Sequence, residues 1–421
     1  MSRSFEDIAA RLFSAETIES AREVFSSMNP DEKANFLAFK DPQKSQKGFL
    51  HKAAFAGKAL AVYALLEAGA DVRAVNSNGA TAIHHATNAK VLDALLEKIP
   101  DQERLAFVQA KDNNGLTAMH YARNAEIVYA LLAIIPEQAR LGFVKATDNN
   151  GNNALHAASL RGDLSTVHAL LNAGADIMAV SNDERTALYY AKTSEIVGVL
   201  LARVTAQHRS AFIQATNKKG DTALHAASAR GDLSAVQALL RAGSDVRAVN
   251  NNGETALHVF LNNCGDKDSC AVAEVLDEFL ARNANVLAMD KGGNTPLGIA
   301  TERRNSEIQE SSVFSSDAGI FSTILQRFNQ HLKDVFPARA LPEVAQAAPS
   351  AASSAPAAAS FHRQTREQSA ASAAVASATM GGSGSAFTRI APVSSSASAR
   401  AEQQRRGGKR KEPSAAAPGR T

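Results

Sequence analysis

Short apolar runs separated by polar, glycine-bearing turns recur along most of this chain. The segment GNNALHAASLRGDLSTVHALLNAGADI (151–177) has a near copy in GDTALHAASARGDLSAVQALLRAGSDV (220–246). Shorter cores with the same order of small, aliphatic and polar positions are GATAIHHA (79–86), GLTAMHYA (115–122), GETALHVF (253–260) and GNTPLGIA (293–300). Counted from the residue two before each Thr-like position, units begin near 46, 79, 115, 151, 184, 220, 253 and 293. Their spacings are 33, 36, 36, 33, 36, 33 and 40. Self-similarity at this period marks a stack of small units, none able to bury its apolar face alone.

Local chemistry predicts two helices in each unit. Thr81, Thr117, Thr186, Thr222, Thr255 and Thr295 stand where the first helix begins, as N-caps do. Gly162 and Gly231 interrupt the apolar periodicity where that helix must stop. Leu170, Leu171, Leu239 and Leu240 fall on the buried face of the second helix, and small Ala157, Ala158, Ala226 and Ala227 let neighbouring first helices approach. Gly79, Gly115, Gly151, Gly220 and Gly253 follow polar pairs such as Asn113-Asn114 and Asn149-Asn150, turn formers that tolerate positive φ.

The full pattern, G-x-T-A-L-H-x-A-A-x-x-G-x-x-x-x-V-x-x-L-L-x-x-G-A-D, resembles the ankyrin repeat and does so over roughly 290 residues. The resemblance implies an all-α solenoid of about eight helix–turn–helix units over residues 46–336. It implies that His51, His84, His120, His156, His225 and His258, each at the H of T-x-x-H or its equivalent, bond to backbone and to the Thr and so tie units together. These histidines, with Gly162 and Gly231, form the structural signature of the repeat. It further implies a protein partner bound on the concave side, which is built of turn tips and first helices. Candidate contacts near the tips are Arg73, Lys111, Lys145, Lys218, Lys219 and Arg247. On the first helices they are Tyr121, Arg123, Leu160, Arg161, Tyr190, Lys192 and Arg230. Tyr and Arg carry binding hot spots, and this set suits a partner that is acidic and partly apolar. The competing reading is a solvated face with the tyrosines packed between helices.

The units at 79, 115 and 184 lose three residues between their helices and gain six after the second, as in EKIPDQERLAFVQAKDNN. Apolar Leu105, Phe107, Val108, Leu141, Phe143, Val144, Phe212 and Ile213 in the added stretches predict a lengthened second helical segment packed along the rod. Units of 33 and 36 residues look duplicated as pairs. A similar long variant occurs in ankyrin proteins that intracellular bacteria deliver into host cells, which would make this chain an effector.

Residues 1–45 carry Phe5, Ile8 and Leu12 at helical spacing, then Ile18, Val24, Phe25, Phe36, Leu37 and Phe39. They read as a helical cap over the first exposed face of the stack; an F-box-like role finds no convincing match. At the other end Gly298 replaces the His, and a polar insert (301–318) leads to an amphipathic helix at 321–336. From 337 to 421 the chain turns to Ala, Ser, Pro and Gly with scattered Arg, a composition expected to be disordered.

Charge changes the picture in one respect. The net +3 divides into +7 for residues 337–421 (eleven Lys/Arg, four Asp/Glu) and −4 for the rest (34 and 38). Basicity therefore belongs to the tail, and the folded part is not expected to bind nucleic acid. The cluster Arg405, Arg406, Lys409, Arg410 and Lys411 fits a nuclear-import signal, a secretion handle or a solvated appendage. No apolar stretch is long enough to span a membrane, so a monomer inside a cell is expected: cytoplasmic, delivered into a host, or nuclear through the tail.

The chemistry offered by single residues is thin. Histidines spaced a repeat apart cannot converge on one metal, and Cys264 and Cys270 match no common zinc spacing. A redox role for the two cysteines stays open. No phosphate loop, dinucleotide-binding glycines or nucleophile elbow occurs. The expectation is a non-enzymatic scaffold with no metal and no cofactor; the alternatives are a nuclear regulator or an enzyme with a small appended catalytic segment.

Overall fold

Eight helical pairs follow one another among the described residues from Phe49 to Val335. The computed structural model describes residues 4–42, 45–264, 269–310 and 320–335. The chain divides into two units, 1–351 and 352–421, and everything described lies in the first. The predicted tail (337–421) with its basic cluster lies outside the described residues, as do 311–319.

The first helices are Phe49–Phe55, Ala82–His85, Ala118–Tyr121, Ala154–Arg161, Ala187–Tyr190, Ala223–Arg230, Ala256–Asn263 and Pro296–Glu310. The second helices are Ala59–Glu67, Ala89–Glu97, Ala125–Ile134, Leu164–Asn172, Ser194–Arg203, Leu233–Arg241, Ser269–Ala281 and Ile320–Val335. Each packs on its counterpart in the next unit, so two parallel rows of helices enclose one continuous apolar core. Isolated antiparallel bridges such as Val180 with Thr186 and Val249 with Thr255 each close one turn, and no strand forms among the described residues.

Caps and glycines explain where the helices stop. Asn153 and Thr222 form capping boxes with the histidines three residues on, and Gly162 (φ 86°) and Gly231 (φ 67°) end the same helices in the left-handed region. In the units at 79, 115 and 184 the first helix is a single turn ending at Ala86, Ala122 and Ala191, where the chain becomes extended. The three missing residues are the second half of the first helix.

The six added residues do not lengthen the second helix as expected; they build a separate third one, Asp101–Val108, Glu137–Val144 and Ala206–Gln214. Proline explains two of the breaks. The residue before proline is pushed out of the helical region, as Ile135 shows (φ −80°, ψ 126°), and Pro100 and Pro136 then cap the new helices. Val204 makes the same turn without proline. Phe107, Val108, Phe143, Val144, Phe212 and Ile213 bury against the stack, while Leu141 is exposed. The Arg104 and Arg140 guanidiniums donate from Nε to carbonyls at the ends of the second helices, Leu96 and Ile99 (3.3 and 3.2 Å) and Leu132 and Ile135 (2.9 and 3.1 Å).

The stack's ends differ in composition from its middle. Helices Phe5–Phe13, Ile18–Ser26 and Pro30–Ala38 meet the first unit through aromatic rings, with Phe36 stacked on Phe49 at 4.2 Å and edge-on to Phe5 and Phe25. At the far end the part of the polar insert over 301–310 is helical, and Ile320, Phe321, Ile324, Phe328 and Leu332 form one buried face.

Candidate interaction surface

Polar groups join the units along the turns. In each of five units a Thr or Asn N-cap donates its N–H to the Nδ1 of the histidine three residues on, at 3.1–3.3 Å. In the four Thr-capped units Nδ1 accepts, so Nε2 carries the proton, and in all five Nε2 meets a carbonyl of the following turn. The acceptors are Ala110 for His84 (3.2 Å), Asn152 for His120 (3.1 Å), Arg185 for His156 (3.1 Å), Glu254 for His225 (3.0 Å) and Ala288 for His258 (3.0 Å). His51 donates likewise to Ala80 (3.0 Å), but Gly48 replaces its Thr and His51 Nδ1 has no partner among the described residues. Burial holds all six imidazoles below the usual histidine pKa, hence neutral. They are strung along the stack, one in each of six units, and the described residues gather no cluster able to hold a metal.

The turn tips are laddered by asparagine. Asn113, Asn149, Asn182 and Asn251 each donate their backbone N–H (2.8–2.9 Å) and side-chain amide (3.0–3.3 Å) to carbonyls of the preceding tip. The tip glycine lies under that amide: a Cβ on Gly151 would meet Asn182 Oδ1 at 2.5 Å and its backbone N at 2.7 Å. Glu184 occupies the glycine position at φ 63°, where the next tip offers Lys218 in place of asparagine.

Two predicted contact residues are engaged inside the stack. Arg161 donates from Nη1 to His120 O (2.8 Å), from Nη2 to Ala122 O, and from Nε to Asp163 (2.6 Å). Arg230 repeats this with Tyr189 O (3.0 Å), Ala191 O (2.9 Å) and Asp232 (2.6 Å). A one-turn helix leaves its last carbonyls without partners, and in both cases the full-length helix that follows supplies the arginine that caps them. These guanidiniums thus clamp adjacent units together while about a quarter of each side chain stays exposed (24% and 25%). Arg73 is also held, paired with Glu103 and lying 5.7 Å from the Phe107 ring centroid.

Tyr121 and Tyr190 are each partly buried and hydrogen-bonded within the stack. Tyr121 donates to Asp112 (2.8 Å) and its ring stands edge-on to His84 and His85; with burial, that bond raises its pKa. Tyr190 donates to Asn152 Oδ1 (3.0 Å), edge-on to His156. The groups left outward are Arg123, Leu160 (46% exposed), Lys192, Lys218 and Lys219, with Lys111, Lys145 and Arg247 also exposed. Sequence reasoning missed Phe55, which is 50% exposed, and the row Val75, Val180, Val249 and Met289, all at the position before a tip and all exposed. Their shared repeat position was the available signal. Tip carboxylates, by contrast, bond their own loops: Asp112 accepts from the Asn114 and Leu116 N–H groups, and Asp148 from Asn150 and Asn152.

Cys264 is buried and Cys270 exposed, with 265–268 between them outside the described residues. No helix among the described residues is long and apolar enough to cross a membrane. The chain matches the family described as ankyrin repeats (3 copies) over residues 50–139, 125–210, 195–272 and 224–311. It is 31% identical over 157 residues to the human (Homo sapiens) B-cell lymphoma 3 protein, a stretch covering 35% of this chain. That stretch spans about a third (32%) of the relative's length.

Proposed function

Because the chain belongs to the ankyrin-repeat family, we propose that it is a scaffold that recruits a partner protein through its turn tips and first helices, the concave side. The observation that carries this reading is the division of labour among polar groups. Histidines, asparagines and two arginines are consumed in holding units together, while Arg123, Lys192, Lys218, Lys219, Leu160 and the Val75–Met289 row stay outward on turns and first helices. Exposed cations beside exposed aliphatic groups favour a partner that is acidic and partly apolar. An effector role inside a host cell is the finer form of the proposal, supported by the paired short and long units. The basic cluster at 405–411 supports nuclear import as the second reading, tested by locating the chain with and without residues 400–421.

Site-specific photo-cross-linking in cells tests the scaffold reading. A cross-linking residue at Lys111, Lys192 or Lys219 should trap one defined protein, and the same residue at Asp93, His168 or Gln237 on the second helices should not. Trapping confined to the second helices would place the binding face elsewhere.

A further inference from the structure

Phe55 ends the first helix of the first unit with half its surface open. Two cations lie against its ring, Lys47 Nζ at 5.5 Å from the centroid and the Arg123 guanidinium, two units on, also at 5.5 Å. The unit between them has only the single-turn helix Ala82–His85 and carries nothing at the positions of Leu160 and Arg161, so the two side chains meet across it. Neither Lys47 nor Arg123 forms an ion pair among the described residues. The nearby carboxylates are committed elsewhere: Asp41 pairs with Lys52 (3.1 Å), and Asp112 holds Tyr121. Beneath the cations His85 stands edge-on to Tyr121 (5.6 Å) and His51 (5.9 Å). Burial, then Lys47, push its pKa down to about 3, so it adds a ring and no charge.

We infer that Lys47, Phe55 and Arg123 form a subsite for an acidic side chain in a linear segment of the partner, with a neighbouring apolar side chain resting on Phe55. Two like charges brought to one ring repel each other, and a carboxylate between them removes that cost. Arg123 offers the planar donor pair that matches a carboxylate, and Phe55 supplies apolar area with little rotamer entropy to lose. A nucleic-acid backbone would need cations repeated along the face, whereas the tips alternate, with Asp183 and Glu184 exposed next to Lys218 and Lys219. The subsite rests on the reading that this face recruits a protein.

Fluorescence anisotropy on the full chain tests it, with a labelled peptide alternating Glu and Leu, its Gln-for-Glu analogue, and an oligothymidylate as probes. The Glu peptide should bind, with affinity falling as salt rises, and Lys47→Glu/Arg123→Glu should weaken it at least about tenfold. Phe55→Ala should do the same at an unchanged melting temperature; if that variant melts lower, the charge variant decides alone. Lys90→Glu/Lys98→Glu, which removes equal charge from exposed positions outside the cluster, should leave binding unchanged. The subsite is overturned if Lys47→Glu/Arg123→Glu binds the peptide like wild type, if the Gln peptide binds equally well, or if the oligothymidylate binds tighter through the same residues. Cross-links at Lys111 or Lys219 that still trap a partner would then show that only the subsite had failed.

Discussion

Arg161 and Arg123 stand near the ends of first helices in successive units, yet the stack uses them in opposite ways. Arg161, like Arg230, belongs to a full-length helix that follows a one-turn helix, and its guanidinium fills the carbonyls which that truncation exposes. Arg123 belongs to a one-turn unit that follows another. The junction there is closed by Asn124, whose amide donates to Thr87 O at 2.9 Å, and Arg123 is left to reach Phe55. The order of short and long units, more than residue type, decides whether an arginine is structural or available.

The largest change expected comes from pH, because it acts at once on six of the seven seams between units, all but the one where Tyr189 replaces the histidine. The six buried imidazoles have lowered pKa values in the fold, so the unfolded chain binds protons first as pH falls. Their stabilisation is complete above the ordinary histidine pKa of about 6.5 and is lost progressively below it. Each contributes a slope of up to about 1.4 kcal/mol per pH unit. Urea midpoints should fall steeply between roughly pH 6.5 and 5 and stay flat from 7 to 8; a flat profile through both ranges would show the imidazoles are not desolvated.

Next in size is removal of a clamp. Arg230→Ala strips two carbonyl bonds and an ion pair from a half-buried site, at a cost of about 2–3 kcal/mol by denaturant unfolding. Arg123→Ala should cost less than about 0.5 kcal/mol. Equal losses would erase the comparison. Gly151→Ala sets a Cβ against Asn182 at positive φ and should cost about 2 kcal/mol, measurable by melting. The smallest effect is a gain: Gly48→Thr offers His51 Nδ1 the hydroxyl that Thr81, Thr117, Thr222 and Thr255 place at theirs. Gly48 has φ −76°, open to any L-residue, and a Cβ there would lie 3.7 Å from Nδ1 and 3.3 Å from Phe39 O. About 0.5–1 kcal/mol of added stability is expected, and no gain would mean the contact with Phe39 O offsets the new bond.

Much of the fold was legible because the repeat writes its local rules plainly: Thr222 and His225 at a capping-box spacing, Gly231 where the helix must end, Leu239 and Leu240 on one face. The third helices were misread although Pro100 and Pro136 marked the breaks, because the apolar run across them continued. The clamps were invisible to single-unit reasoning. Arg161 and Arg230 look like surface arginines until the neighbour's orphaned carbonyls are in view, and a sequence read one repeat at a time does not show them. Phe55 was missed for the related reason that its partner, Arg123, is two units away.

Amide hydrogen exchange on the full chain, alone and bound to the protein trapped by the cross-links, puts the scaffold reading to its most direct test. Added protection should fall on the tips at 76–80, 112–116, 148–152 and 217–221 and on the first helices, with the second helices at 89–97, 125–134 and 164–172 unchanged. Protection concentrated on the second and third helices would contradict it.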